Sequence, residues 1–337
     1  MSIVNTFSLQ STRQIKINFD GGDLSSDAGL LLIKEFISKL GIERLLNRSF
    51  KTNDSAVFRY HTDRDNLLQM IYMIMAGYFE DDASDELTKD PIFFNRMDED
   101  TLKQFQEISQ ILRKRIYSIQ MPQAVILDLD STLLAAYGKQ EGRAFNFHYR
   151  SNGYHPLVCY DGITGDLIKI QFRDGAAYSC TGVTDFLQPI LDEYLNDYPT
   201  IHLLLRGDSG FATPDLYKQC EENGTSYVIR LKENFIKESK SGFDFSSVSS
   251  HNRIVNANRV QVHALAYNIF NWFRRLVLSA KMRKQRIDTV RLKLLKIATK
   301  VVHSARYITF KLCSSCPYKE EFYAPLSAIG KLNVQLE

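Results

Sequence analysis

Hydrophobic positions recur every three or four residues between residues 22 and 120, which predicts a mostly helical region. Three helices are expected, the first through Leu30 and Phe36, the second over about 66–78 and the third over about 100–117. Ser25, Ser26 and Asp27 are candidates for the N-cap of the first helix. Pro122 ends the helical pattern, and the period of the sequence changes after it.

From Ala124 onward short apolar runs alternate with turn residues, which predicts strands. The runs are AVILDLD, LVCY, DLIKIQF, IHLLL and SYVIRL. Residues 161–165 (DGITG) form a turn between the second and third runs, which predicts a hairpin. Helical patterns over 183–195 and from Thr213-Pro214 separate the later strands. The order β-β-β-α-β-α-β favours a mixed α/β sheet with helices on its faces.

The last third of the chain is basic. Residues 253–306 hold about a dozen Lys and Arg and one acid, Asp288, although the whole chain carries a formal charge of only +3. Residues 258–278 have an amphipathic helical pattern within this region. Clustered positive charge on helices favours a nucleic-acid partner, and a solvated helix face is the plain alternative.

The composition, 44% hydrophobic and 24% charged over 337 residues, excludes a disordered or fibrous chain. No apolar run reaches the roughly 18–20 residues of a membrane helix, so no membrane partner is expected. The N-terminus lacks the apolar core of a signal peptide. Five irregularly spaced cysteines do not form a disulfide framework. We therefore expect a cytoplasmic protein.

Two acids stand at the ends of apolar strands. Asp130 ends VILDLD, with Asp128 on the same face because strand side chains alternate, and Asp208 follows IHLLLRG. Ligands of open α/β sheets bind beyond the carboxyl ends of the strands, so the two carboxylates converge if their strands are neighbours. Carboxylate oxygens suit Mg²⁺. The bland interpretation is two solvated loop acids.

Several longer motifs occur in a fixed order around these acids: LDLDST, YGKQEG, HYRSNGYHPLVCYDGITGDL, RDG and RGDSGF, then HALAYNIFNWFRRL and RLKLLKIATKVV. In this order they resemble the IS1380 group of DDE transposases, within the IS4-like class. The resemblance covers most of the chain. It implies an α/β fold, namely an RNase H-like mixed sheet flanked by helices, with a helical N-terminal region and basic C-terminal helices.

The same resemblance implies a function. Such proteins use Mg²⁺, for which Mn²⁺ can substitute, to cut element ends and transfer the strands into target DNA. The implied partners are double-stranded DNA, as terminal inverted repeats and target, and a second copy of the chain in a homodimer. Carried over by motif, Asp130 and Asp208 match the first two catalytic, metal-binding acids, and Glu233 matches the third.

The sequence departs from the family pattern around the third acid. The IS4-like signature has Tyr, Arg, Glu and Lys, and here Tyr227, Arg230, Glu233 and Lys240 are present with one residue too few between Arg and Glu. Relatives carry a β-rich insertion between the last strand and the helix that bears the third acid (the glutamate helix). Here the strand runs directly into that helix. We infer an internal deletion near 232–233, which leaves Glu233 short of connecting chain and makes impaired catalysis an expectation.

Three regions follow from this interpretation: a helical, DNA-end-binding region over 1–120, an RNase H-like core over 121–280 and a basic region over 281–337. The expected DNA contacts are Lys237, Lys240, Arg274, Arg275, Arg283 and Lys284. Lys237 and Lys240 would lie about one turn apart on the glutamate helix, and the resemblance implies that Lys240 lies near the scissile phosphate.

Two alternatives stay open at this point. VILDLDSTLL also fits the Asp-x-Asp-x-Thr pattern of haloacid-dehalogenase-like phosphatases, in which Asp128 would be the nucleophile. The later motifs of that family are missing or misplaced. The other alternative is a noncatalytic transposase remnant that binds DNA in a salt-dependent way without cutting it.

Overall fold

The computed structural model describes residues 6–19, 27–54, 60–78, 96–229, 242–243, 248, 250–303 and 306–336. The described helices are α1 Leu30–Lys39, α2 Ile42–Ser49, α3 Asp63–Ala76, α4 Glu99–Ile119, α5 Val183–Asp197, α6 Pro214–Glu222, α7 Arg253–Val277, α8 Ala280–Arg283, α9 Ile287–Val290 and α10 Lys319–Lys331. Among them none is long and apolar enough to cross a membrane.

The strands are β1 Phe7–Ser8, β2 Ile15–Asn18, β3 Ala124–Ser131, β4 Leu134–Ala135, β5 Ala144–Asn146, β6 Ser151–Tyr154, β7 Leu157–Asp161, β8 Leu167–Gln171, β9 His202–Gly207, β10 Ser226–Ile229, β11 Thr299–His303 and β12 Ile308–Leu312. They form a five-stranded central sheet, a small three-stranded sheet and a four-stranded sheet of terminal strands. The expected helices and strands are therefore present, with ends shifted by a few residues.

The central sheet has the order β10-β9-β3-β7-β8. β7 runs antiparallel to both β3 and β8, whereas β3, β9 and β10 run parallel. Three consecutive antiparallel strands followed by two parallel strands on the far side of the first is the RNase H-like arrangement. The fold class expected from the sequence, a mixed α/β sheet flanked by helices, is confirmed.

Helix α7 joins the N-terminal helices to the sheet. It packs on α3, α4 and β8, and its Phe273 meets Phe36 of α1 edge to face with ring centroids 5.6 Å apart. Two buried polar groups fix the crossing with α4, because the hydroxyl of Thr101 donates to Oδ1 of Asn258 over 2.8 Å. The helical N-terminal region is thus packed on the core of the protein.

The terminal sheet was not foreseen from the sequence. Its order is β1-β2-β12-β11, and the central contact is a parallel pairing of β2 with β12. Strands from the first 20 and last 40 residues of the chain therefore share one sheet. The predicted regions 1–120 and 281–337 are thus joined by backbone hydrogen bonds.

The start of α1 differs from the prediction. Its N-cap is Gly29, which makes no side-chain cap. Asp27 has a positive φ of 75° and binds elsewhere, since its carboxylate accepts from the hydroxyl of Tyr78 and pairs with Lys296 at 3.0 Å. An ion pair with a distant lysine therefore replaces the predicted cap. Ser25 and Ser26 lie outside the described residues.

Candidate active site

The register of β3 on β9 positions the two strand-end acids. The strands pair in parallel from Ala124 opposite His202 to Asp128 opposite Arg206. Continuing this register by two residues places Asp130 beside Asp208, on neighbouring strands about 4.8 Å apart. Side chains alternate along a strand, so Asp130 lies on the face of Asp128 and Asp208 on that of Arg206.

A second pair on the same face confirms that register. Nε of Arg206 donates to Oδ1 of Asp128 over 2.8 Å, and the other guanidinium nitrogen donates to Oδ2. These hydrogen bonds raise the pKa of Arg206 and keep it charged. Arg206 is directed at Asp128, and both residues lie two positions before the acids that end the strands. The pair therefore ties the two strands together beneath the edge that carries Asp130 and Asp208.

Asp130 is half-buried and fixed at the end of β3. Its Oδ1 accepts from the backbone N–H of Ser131 over 2.6 Å, and its backbone pairs with Val158 of β7. The alternation of the strand explains the position, because Val125, Leu127 and Leu129 face the core while the acids face the other side.

Asp208 is exposed and caps the turn that follows β9. Its Oδ1 accepts from the backbone N–H of Gly210 over 2.8 Å and begins a short 3₁₀ turn over Ser209–Phe211. A Cβ at position 210 would lie 3.0 Å from Oδ1 of Asp208 and 3.2 Å from Cβ of Ser179. A side chain at Gly210, the second glycine of RGDSGF, would therefore crowd both Asp208 and Ser179.

Ser179 joins the two strand ends. Its hydroxyl lies 3.0 Å from that of Ser131, the residue after Asp130, and its side chain packs on Gly210, two residues after Asp208. Nothing in the sequence analysis singled out Ser179. It lies on the loop between β8 and α5, and only the folded chain brings this loop between the two acids.

Arg173 of the RDG motif holds that loop in place. One of its guanidinium nitrogens donates to the backbone carbonyls of Tyr178, Ser179 and Thr181 over 3.1, 3.2 and 2.7 Å, and Nε donates to the carbonyl of His155. Burial lowers the pKa of Arg173 to about 10, so it is charged at neutral pH. The RDG motif contains Arg173, but its carbonyl partners could not be predicted from the sequence, because they lie on a loop that only the fold brings to it.

The donor set suits a hard divalent cation. Two carboxylates face one edge, each with one oxygen accepting a local backbone N–H, and the nearby cation Arg206 is directed at Asp128. Mg²⁺ takes one or two carboxylates and completes its shell with water and phosphate oxygens. Within the described ranges no three His, Cys, Asp or Glu side chains come together as a metal-binding group. Asp130 and Asp208 are therefore the candidate ligands.

The predicted third acid and two predicted DNA contacts, Glu233, Lys237 and Lys240, lie outside the described residues, as does Arg230. The strand before them is described. β10 ends at Ile229, which pairs with Gly207, the residue before Asp208. Tyr227 of this strand stacks on Tyr217 of α6 with ring centroids 5.1 Å apart. β10 therefore ends at the edge that carries the acids.

The remaining predicted DNA contacts fall into two classes. Arg274 donates to Oδ1 of Asn271, and Arg275 forms an ion pair with Asp166 at 2.6 Å, both on the sheet-facing part of α7. Arg283 and Lys284 are exposed after α7, and Arg283 also donates to the carbonyl of Leu278. The structure therefore places the last two where a ligand can reach them, and Arg275 against the core.

Asp128, the nucleophile of the phosphatase alternative, has both carboxylate oxygens in hydrogen bonds with Arg206. A carboxylate fixed in this way joins two strands and is poorly placed to attack a substrate. The geometry therefore gives Asp128 a structural role.

Comparison with known proteins shows the family of this chain. The family model described as Transposase DDE domain group 1 matches residues 7–234 and 232–334. No curated protein matches the sequence. Similar solved structures include a piggyBac transposase synaptic complex with hairpin DNA, with 13% identity, a TM-score of 0.35, and 79% of this chain and 80% of that chain covered.

A Mos1 transposase paired-end complex with the left transposon end is similar at 8% identity and a TM-score of 0.24, and a pre-cleavage Mos1 transpososome at 9% and 0.21. Both comparisons cover 68% of this chain and 85% of the other. The family model spans nearly the whole sequence, including both strand-end acids. The chain therefore belongs to the transposase DDE domain group 1 family.

Proposed function

We propose that this transposase cuts the ends of its DNA element and transfers them to target DNA at the edge formed by Asp130 and Asp208. The observation that carries the proposal is the β3–β9 register, which brings two family-motif acids to adjacent positions on one face. We further propose that the chain belongs to the IS1380 group of this family, on the order of the motifs from LDLDST to RGDSGF.

In this proposal Asp130 and Asp208 hold Mg²⁺, or Mn²⁺ in its place. Bound there, the metal would activate the attacking water or 3′ hydroxyl and stabilise the leaving oxygen of the phosphodiester. Ser131 and Gly210 orient the two carboxylates through backbone N–H groups, and Arg206 holds the strands in register. Arg173 and Ser179 keep the intervening loop in place. These residues pre-organise the ligands before DNA arrives.

Glu233 is the third ligand in this proposal. It follows Ile229 by four residues, and an extended chain of that length spans at most about 14 Å. Because Ile229 pairs with Gly207 next to Asp208, Glu233 stays within chain reach of the acids. These four residues cannot contain the long insertion that precedes the glutamate helix in relatives.

We propose an internal deletion near 232–233, because the Tyr-Arg-Glu-Lys pattern is one residue short and the strand sequence SYVIRL is followed at once by the segment of Glu233. The match is divided into two segments that meet and overlap at residues 232–234. We infer that the deletion removes the scaffold that orients Glu233, and that cleavage is consequently slow. A ligand displaced by about 1 Å can cost a hundredfold in rate.

The same observation favours a second candidate function, a noncatalytic DNA-binding remnant. Such a chain binds terminal inverted repeats with a steep salt dependence and leaves the strands uncut. In both proposals the partners are double-stranded DNA ends, and two copies of the chain pair to hold two ends together.

A cleavage assay separates the candidates. The full chain is incubated with Mg²⁺ and DNA carrying the inverted repeats that flank its own coding sequence, beside Asp208→Asn and Glu233→Gln. We expect slow cutting by the native chain, a further loss of about 10³-fold in Asp208→Asn, and unchanged binding in both variants. Repeat binding without any cutting supports the remnant. The absence of repeat binding would refute both.

A further inference from the structure

The strand after the catalytic edge carries an unusual surface. β4 begins four residues after Asp130 and pairs with β6, which pairs with β5 in a hairpin. Phe147 lies in the hairpin turn and is 85% exposed, and Tyr178, on the loop that holds Ser179, is 79% exposed. Single exposed aromatic residues are ordinary, whereas two on one functional edge are informative.

The turn is held rigidly. Oδ1 of the buried Asn146 accepts from the backbone N–H groups of His148 and Tyr149 over 3.1 and 3.2 Å, and its Nδ2 donates to the carbonyl of Gly175. Arg150 completes the turn with a φ of +51°, a left-handed conformation that a non-glycine residue rarely adopts. Phe147 is therefore exposed on a fixed support and does not belong to a loose loop.

The turn is also docked against the catalytic strand. The hydroxyl of Tyr149 donates to the backbone carbonyl of Ser131 over 3.1 Å, and the hydroxyl of Ser179 lies 3.0 Å from that of Ser131. Phe147 and Tyr178 thus flank groups that meet at the residue after Asp130. The ring of Phe145 supports Phe147 edge to face at 5.2 Å and is itself 42% exposed.

The charge around this surface indicates its partner. The segment 137–150 contains Lys139, Arg143 and Arg150 and one acid, Glu141. The carboxylate of Glu141 accepts from the backbone N–H of Arg253 at the start of α7, which directs it toward that helix. Exposed rings among cations next to a phosphate-processing edge match single-stranded nucleic acid, whose bases stack on aromatic faces while cations follow the backbone.

We propose that Phe147 and Tyr178 form a stacking platform for unpaired bases at the DNA end, beside the phosphate held at Asp130 and Asp208. This inference rests on the proposed function, because it assumes that DNA ends bind at that edge. Stacking on a ring is independent of base identity, so the platform would favour ends that open easily over a particular sequence. It would hold the strand that separates from its complement before or after cutting.

The test compares paired and pre-opened ends. Inverted-repeat DNA is prepared fully paired or with three terminal mismatches, and binding is measured with Mg²⁺ omitted so that no cutting occurs. We expect the native chain to prefer the opened end, and Phe147→Ala to lower affinity for that end about tenfold, within the range measured for stacking on one ring. Affinity for the fully paired DNA should be unchanged.

Three variants complete the experiment. Phe147→Tyr retains a ring and should restore the preference, whereas Tyr178→Ala should reduce it. Ile163→Ala removes an apolar side chain that is 56% exposed on the turn between β7 and β8, outside this surface, and should have no effect. Fluorescence of 2-aminopurine at the terminal nucleotide should be quenched by the native chain and by Phe147→Tyr, and not by Phe147→Ala.

Equal affinity of Phe147→Ala and the native chain for opened ends would overturn the platform, while retained repeat binding would leave the proposed function standing. A change in self-association of Phe147→Ala, measured by sedimentation without DNA, together with unaltered DNA binding, would also overturn it, since it would assign the rings to a protein interface. Absence of DNA binding by every variant would instead refute the proposed function.

Discussion

Charged side chains have opposite surroundings at the carboxyl edge of the central sheet and on the helices that pack around it. At the edge, the half-buried Asp130 and the exposed Asp208 lie at the ends of adjacent strands, and a backbone N–H group orients each carboxylate. On the helices, Arg113 and Arg275 turn inward onto Glu193 and Asp166. The local density of charge is therefore a poor guide to the partner, whereas the position of a charge relative to a strand end is informative.

Arg291 shows the inward arrangement most completely. It is buried, and its guanidinium donates to the backbone carbonyls of Met75 and Ile74 at the end of α3 and to that of Gly242. In the sequence it belongs to the basic last third that indicates DNA binding. In the structure it closes the C-terminal end of a helix, where a cation is favourable.

The largest expected effect breaks an inward pair. Arg113 binds Glu193 through two hydrogen bonds of 2.7 and 2.8 Å, and both side chains are about nine-tenths covered. Arg113→Leu leaves a buried carboxylate unpaired and should lower the free energy of unfolding by about 3–5 kcal/mol. Urea unfolding measures it. The double variant Arg113→Leu/Glu193→Leu should recover most of the loss, and failure to recover would show that the packing of Arg113, rather than the pair, is the source.

The pH dependence of stability tests a second inward group, on α7. Burial lowers the pKa of His263 to about 4, and its Nδ1 bonds the carbonyl of Phe243. The unfolded value is about 6.5. The folded state therefore binds fewer protons than the unfolded state. The contribution of neutral His263 to the free energy of unfolding is fully present above pH 6.5, and up to about 3 kcal/mol is lost as the pH drops toward 4. Unfolding of His263→Gln over the same range should lose less, and parallel curves would contradict the assignment.

Arg275 tests the comparison directly, because the sequence predicts a DNA contact and the structure shows an ion pair with Asp166. Burial raises the pKa of Asp166, and Arg275 opposes that shift by favouring the charged carboxylate. Arg275→Gln should destabilise the fold by about 2 kcal/mol at pH 8, the size of a lost hydrogen bond to a charged group, and leave the salt dependence of DNA binding unchanged. A shallower salt slope, with unaltered stability, would place Arg275 on the DNA instead.

Arg283 and Lys284 should behave in the opposite way and produce the smallest effect. Each variant, Arg283→Gln or Lys284→Gln, should reduce the slope of log K against log salt by about 0.9 if the residue contacts a phosphate. Stability should change by less than about 0.5 kcal/mol. Lys218, which is exposed on α6 and lies 3.7 Å from Glu222, provides the matched control, and Lys218→Gln should leave the slope unaltered.

Much of the central sheet could be predicted from the sequence because its signals are local. Each strand is a short apolar run with a turn after it, and the family motifs fix which acids end the strands. The alternation in VILDLD correctly predicts that Asp128 and Asp130 share a face. The pairing of Asp128 with Arg206, by contrast, could not be predicted. It requires β9 to be the parallel neighbour of β3, and that depends on how the distant segments of the chain pack together.

The parts that could not be predicted depend on contacts between distant segments. β2 and β12 pair although nearly 300 residues separate them, and neither strand is long enough to carry a clear period. Asp27 was a reasonable cap by residue type, and only the approach of Lys296 gives it another partner. Ser179 has no chemical signature at all, because its role arises from packing between two loops.

The central claim is that Asp130 and Asp208 share one divalent metal ion, and Mn²⁺ binding tests it without requiring turnover. Titration followed by electron paramagnetic resonance should show one site in the full chain. Asp130→Asn and Asp208→Asn should each weaken it at least about tenfold, the double variant should be little weaker than either, and Asp128→Asn should retain it. Native affinity in both single variants, or additive losses from two separate sites, would contradict the account.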